Sequence, residues 1–148
     1  MTNTPQILIP PLGRLYDLFR PITEPLIRLI AGGALAYHGY QILFGGIEGA
    51  ANFFESVGFE NGVLWAWVVG FLQLVCGLCL AAGLLTRLVA GPIIVFLIMA
   101  IATYHWELGF NWESRGIEYP LFWAIVVFHF LIHGGGPWSL DAKIGREI

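Results

Sequence analysis

The side chains of this sequence that could do chemistry are four histidines, a glutamine set among apolar residues, and a C-x-x-C pair. His129 and His133 stand one helical turn apart in "HFLIHGGGPWSLD". Such a pair can ligate a metal or haem, pass a proton, or only close the polar end of an apolar helix. His38 lies in "AYHGYQ", His105 in "TYHWEL", and Gln73 in "GFLQLVCGLC" ahead of Cys76 and Cys79. Which chemistry applies depends on the medium around these groups.

Composition identifies the medium. The chain is 57% hydrophobic and only 11% charged, whereas ordinary soluble domains carry roughly a quarter charged residues. That leaves too few charges to cover a water-facing surface, and a mean hydropathy of +0.75 points the same way. A net charge of −3 with no basic stripe excludes a nucleic-acid partner.

A bilayer crossing needs roughly 20 mostly apolar residues per helix. Four stretches fit: Pro25 to Phe44, Val63 to Leu85, Leu88 to Trp106 and Glu118 to His133. The expected fold is therefore all-α, an integral membrane bundle of four transmembrane helices forming a single domain over 1–148. Thr86 and Arg87 alone separate the second and third stretches, which predicts a tight helical hairpin.

The opening "MTNTPQILIPP" lacks a positive region and is broken by Pro10 and Pro11, so it does not read as a cleavable signal. Leu12, Leu15, Tyr16 and Phe19 then recur at helical spacing. They predict an amphipathic helix over 11–21 lying on the membrane surface, ended by Pro21. Arg14, Arg20, Arg28, Arg87, Lys143 and Arg146 fall on one side of this topology and Arg115 alone on the other. The positive-inside rule places both termini in the cytoplasm.

Polar groups within a span face the bundle interior, because lipid offers them no partner. On the fourth helix Glu118, Phe122, Ile125, His129 and His133 share an arc of roughly 80°. That stripe reads as a polar path for a proton or a ligand headgroup, or as groups satisfied by neighbouring helices. Arg28 either snorkels to the headgroups or is buried. His38 is too short to snorkel far. Gly32, Gly33, Ala36 and Gly39 allow another backbone to approach closely. No strand precedes them, so they are not a dinucleotide loop.

Gln73 is expected either to hydrogen-bond across helices or to hold a quinone carbonyl. Cys76 and Cys79 fall past the middle of a helix in hydrocarbon, where a thiolate is disfavoured, and read as small packing residues. His105 and Glu107 could join Glu55 and Glu118 in an outer-face cation or proton site. Asp141 is placed to reach Arg28 or Arg87.

The ordered set "RLIAGGALAYHGYQ", "FFESVGF", "GLCLAAGLLTRLVAGP", "HWELGFN", "EYPLFW" and "GGGPWSLD" resembles the DoxX family of small four-helix membrane proteins. The resemblance covers nearly the whole chain past residue 21. It implies a multi-pass protein of a bacterial or archaeal cytoplasmic membrane, connected with electron transfer. One branch of the family contributes to a thiosulfate:quinone oxidoreductase, and another is the membrane partner of oxidative-stress and thiol-handling enzymes. Many relatives carry a lysine where this chain has Gln41 and an acid where it has Gln73. Losing both charges tells against an inherited ion or proton site and affects a neutral ligand such as quinone less.

The leading expectation is a subunit of an oxidoreductase assembly that binds a quinone in the bundle core. His38, Gln73, His129 and His133 are the candidate contacts, with Arg28, Arg87, Asp141 and Glu118 as the supporting polar network. The chain has no evident electron carrier, so electrons come from a partner subunit, and an oligomer or larger complex is expected. The alternatives are a non-catalytic scaffold docking a soluble enzyme through "GGGPWSLD" and the tail, or a haem or metal protein. A bis-histidine haem is disfavoured, since only His38 and His129 could serve as its axial pair.

Overall fold

The computed structural model describes residues 7–146, and these form helices and loops with no strand among them. Helix α1 (Pro10–Tyr40) runs on through a π-helical turn, Gln41–Gly45. A short helix α2 (Ile47–Ser56) follows. Then come α3 (Gly62–Ala82) and α4 (Thr86–Leu108), both long and apolar enough to cross a membrane. Helix α5 (Glu118–His133) and a one-turn helix α6 (Leu140–Ile144) complete the chain. The expectation about a signal falls partly on residues 1–6, outside the described residues.

Two sequence expectations need correction. Pro21 does not end a separate surface helix: α1 continues through both Pro21 and Pro25. Each proline removes one intrahelical donor and leaves the flanking turns intact, and the Thr23 hydroxyl donates to the Arg20 carbonyl at 2.9 Å nearby. Helix α2, with its Ala50, Phe53 and Phe54, falls between the first two expected spans, where the sequence reading assigns no element. It is too short to register as a span, yet its backbone touches that of α3, since a Cβ on Gly62 would lie 2.1 Å from the Ala51 carbonyl oxygen.

Small residues set the closest packing. A Cβ on Gly32 would meet Ala81 N at 2.3 Å, one on Gly39 would meet Leu74 N at 2.3 Å, and one on Gly77 would meet Ala36 N at 2.5 Å. Helices α1 and α3 are thus in backbone contact over two turns, as close-approach glycines permit. Gly33 takes no part, with nothing within 4 Å. Helix α4 packs on α5, whereas α1 and α5 touch little. Ala31, Leu80, Ala90, Ile93, Leu97, Val127 and Phe130 form the core where the four long helices meet. The outward faces carry exposed Leu29, Leu78, Ile98, Ile125 and Phe128, an apolar surface suited to lipid and not to water.

At the end of the bundle nearest Arg28 the chain is locked. Arg28 is buried (3% exposed). It donates to the carbonyls of Ala81 (3.3 Å), Trp138 (3.4 Å) and Gly135. Asp141 lies near enough to Arg28 for their charges to interact. Its carboxylate accepts from Leu85 N (2.7 Å), Thr86 N (2.9 Å) and Thr86 Oγ1 (2.8 Å). Leu85 cannot cap α4 itself, so Asp141 supplies the cap from 56 residues away. Desolvation pushes the Asp141 carboxyl up. The hydrogen bonds from Thr86 and Leu85, with the Arg28 charge, outweigh it and hold the group below the usual carboxylate range. Ser139, also buried, caps α6 through Ala142 N at 3.0 Å. Much of the "GGGPWSLD" stretch expected to face a partner is therefore spent inside the molecule.

Candidate functional site

The other half of the bundle is hollow. A cavity of about 270 Å³ lies between α1, α4 and α5, lined by His38, Gln73, His105, Tyr119 and Trp123. A larger one, about 770 Å³, opens between α2, α3 and α4. A third, about 300 Å³, holds His38, Gln41 and Gln73 near the turn after α1. Gln73 lines all three.

The backbone is irregular at this level. Three helices each contain a π-helical turn there: Gln41–Gly45, Leu72–Cys76 in α3 and Ile101–His105 in α4. A π turn inserts one residue into the helical register and is a frequent companion of functional sites. Here the turns carry Gln41, Gln73 and His105.

Gln73 is buried (6% exposed), and its Oε1 has no hydrogen-bond partner. A buried acceptor without a donor costs roughly 1–3 kcal/mol. That cost is removed when a ligand hydroxyl or amide approaches. His105 Nδ1 lies 2.5 Å from the Arg115 carbonyl oxygen. A carbonyl only accepts, so Nδ1 carries the proton, and in the neutral ring Nε2 is left as an acceptor. The site thus combines an unsatisfied amide with an imidazole of fixed tautomer, inside walls that carry no Lys, Arg, Asp or Glu.

The remaining site candidates lie elsewhere. His129 faces Glu24 of α1, with Nε2 3.5 Å from Oε1. His133 stacks on His129 at 4.3 Å between ring centroids, and its Nδ1 lies 3.1 Å from the His129 carbonyl oxygen. Glu24 and His38 are 14 residues apart on α1, roughly 21 Å at the helical rise. The proposed axial pair His38 and His129 therefore cannot ligate one haem, because His129 sits at the level of Glu24. Glu118 accepts from Trp112 N at 3.0 Å and orders the loop before α5. Arg87, half-buried, occupies the first turn of α4 beside the Asp141 lock. Cys76 and Cys79 are free, half-buried thiols packed against the core. Among the described residues no group of three His, Cys, Asp or Glu is placed to hold a metal.

Sequence reasoning joined His38 to Gln73 but attached His129 and omitted His105 from the site. The omission came from placing His105 at the outer end of the third span, with Glu107 in an outer-face site and apart from the bundle core. His105 is the last residue of the third π turn, followed by the 3-10 turn Trp106–Leu108 that ends α4.

Two known proteins resemble the chain over most of its length. It is 25% identical over 144 residues to the uncharacterized membrane protein Rv3486 of Mycobacterium tuberculosis, covering 90% of this chain and 88% of that one. It is 29% identical over 116 residues to CatD of Bacillus subtilis, named as a candidate oxidoreductase, covering 78% of this chain and 82% of CatD. No solved structure matches it. The DoxX family model matches residues 25–106, more than half of the chain and the segment that holds His38, Gln73 and His105. This all-helical membrane protein belongs to the DoxX family.

Proposed function

We propose that this protein binds a quinone between its helices and serves as the membrane subunit of an oxidoreductase assembly. The observation that carries the reading is the buried, unpartnered Oε1 of Gln73 at the meeting point of the cavities. A carboxamide presents both an acceptor and two donors, so one residue can hold either a carbonyl or a hydroxyl. His105 presents Nε2 as an acceptor for a hydroxyl proton, and its Nδ1–H is braced by Arg115. Trp123 and Phe96 supply aromatic walls suited to a flat ring. The oxidoreductase name of the Bacillus subtilis relative agrees with this role.

When bound, a quinone supplies reversible two-electron, two-proton chemistry. The chain's part is to hold its oxygens, exclude water with apolar walls, and take or return a proton at His105 Nε2. The electrons pass to or from a partner subunit. In this reading α1 from Pro25 onward, α3, α4 and α5 make the four crossings, and both termini are cytoplasmic. Six of the seven basic residues then lie in the cytoplasmic half, with the Arg28 lock.

The test is to purify the protein from membranes, extract it, and quantify quinone per protein by mass spectrometry. Wild-type protein retains quinone in near-stoichiometric amount, Gln73→Leu and His105→Ala lose it, and His129→Ala keeps it. Retention by all three variants, or no quinone in the wild type, overturns the reading.

A further inference from the structure

We infer that the larger cavity is a tail-binding site, shaped for the polyprenyl chain of a long-tailed quinone whose ring is held at Gln73. This rests on the quinone reading and adds which quinones are taken. The two cavities are not independent. Gln73, Phe96, Ala100 and His105 line both, so one molecule can place its polar ring at Gln73 and continue into the larger space.

The larger cavity, about 770 Å³, is nearly three times the size of the smaller, about 270 Å³. Its wall is almost wholly apolar, with Ile42, Phe53, Trp65, Val95, Phe96 and Met99 among the lining residues. Outside Gln73, Thr103, Tyr104 and His105 it offers no polar side chain that is not an indole, so the bulk of its occupant is hydrocarbon. A phospholipid does not fit the same path. Its phosphate would come to rest beside walls without a single Lys or Arg, and an uncompensated anion is strongly disfavoured there. The headgroup must be uncharged and must bring a hydrogen-bond donor to Gln73 Oε1. A quinol ring does both.

Gly91 separates tail from ring in an experiment. It lines the larger cavity but not the smaller, and a Cβ there meets nothing within 4 Å. Gly91→Phe therefore fills tail space without moving the backbone. Val95→Trp, on an exposed lining position, is a second variant for the same purpose.

Purified protein is titrated in detergent micelles under reducing conditions with a tailless benzoquinol and with its polyprenyl-tailed counterpart, read by quenching of tryptophan fluorescence. The tailed ligand is expected to bind about tenfold tighter to the wild type, about 1.4 kcal/mol. Gly91→Phe and Val95→Trp are expected to erase most of that advantage and leave the tailless affinity unchanged. Gln73→Leu is expected to weaken both ligands. Equal affinity of the wild type for both ligands overturns the tail site and leaves the quinone reading standing. So does a tail advantage that survives both cavity-filling variants. Failure of either ligand to bind overturns both. Co-purified phospholipid lost from Gly91→Phe, with the tail advantage intact, assigns the cavity to lipid and overturns the tail site.

Discussion

The two halves of the bundle treat buried polarity in opposite ways. At the Arg28 end buried polar groups tie separate segments together: Arg28 spans the carbonyls of Ala81, Gly135 and Trp138, and Asp141 takes three hydrogen bonds from the α3–α4 turn. At the Gln73 end the helices bulge into π turns and stand around open volume, and a buried amide oxygen has no partner. One half is built for satisfaction, the other for vacancy. A polar group that is fully partnered stabilises its surroundings, while one left unpartnered is a cost that binding can recover. The contrast gives the first half a structural role and supports the ligand site proposed for the second.

The sharpest way to break this contrast is at Arg28. Arg28→Met leaves three carbonyls without their donor and Asp141 without its nearby charge, and should cost about 3–5 kcal/mol. Thermal unfolding in detergent should show a large fall in Tm. A small fall would mean that the lock is ornamental and that the halves do not differ in kind.

Gly39→Leu comes next, because its side chain would have to occupy the backbone of Leu74. A loss of about 1–3 kcal/mol or more is expected. Gly33→Leu, where nothing lies within 4 Å, should be close to neutral in the same assay. Equal losses at the two positions would refute the α1–α3 backbone contact.

Asp141→Asn should cost about 1.5–3 kcal/mol, the range of hydrogen bonds to charged groups. The variant also carries a pH signature. The folded-state carboxyl sits below its unfolded value, so its contribution is complete above the unfolded range and is lost as pH falls through the folded one. Unfolding curves of wild type and Asp141→Asn should therefore converge at acidic pH and separate toward neutrality. Parallel curves would show that the cap carries no charge-dependent stability.

How much of this was readable beforehand varies with the range of the interaction. Apolar run length located α3, α4 and α5 within a few residues, because it depends only on local composition. Gly32 and Gly39 were legible as close-approach positions for the same reason, although spacing could not separate them from Gly33. Pro21 was misread, since a proline signals a probable boundary and tertiary context decides. Helical phase placed His129 on the same arc as Glu118, but phase says nothing of depth, and depth put His129 opposite Glu24. The Asp141 cap joins residues 56 apart, and no local pattern records such a pair. The π turns are equally silent: each shifts register by one residue, and His105, which lines the cavities, is the last residue of one of them.

The smallest expected effect is the most discriminating, and it concerns Gln73. Replacing a buried polar side chain by an apolar one of similar size usually destabilises, because its partner is left unsatisfied. Gln73 Oε1 has no such partner. Gln73→Leu should therefore leave ligand-free protein unchanged or raise its stability by about 1 kcal/mol. The ligand must be stripped first, because bound quinone adds its own stabilisation to the wild type by mass action. Measured with quinone in excess, the order should reverse, the wild type gaining Tm and the variant not. A Gln73→Leu protein that is clearly less stable without ligand would mean that Gln73 is a structural cross-link. The hollow half would then follow the same rule as the locked one.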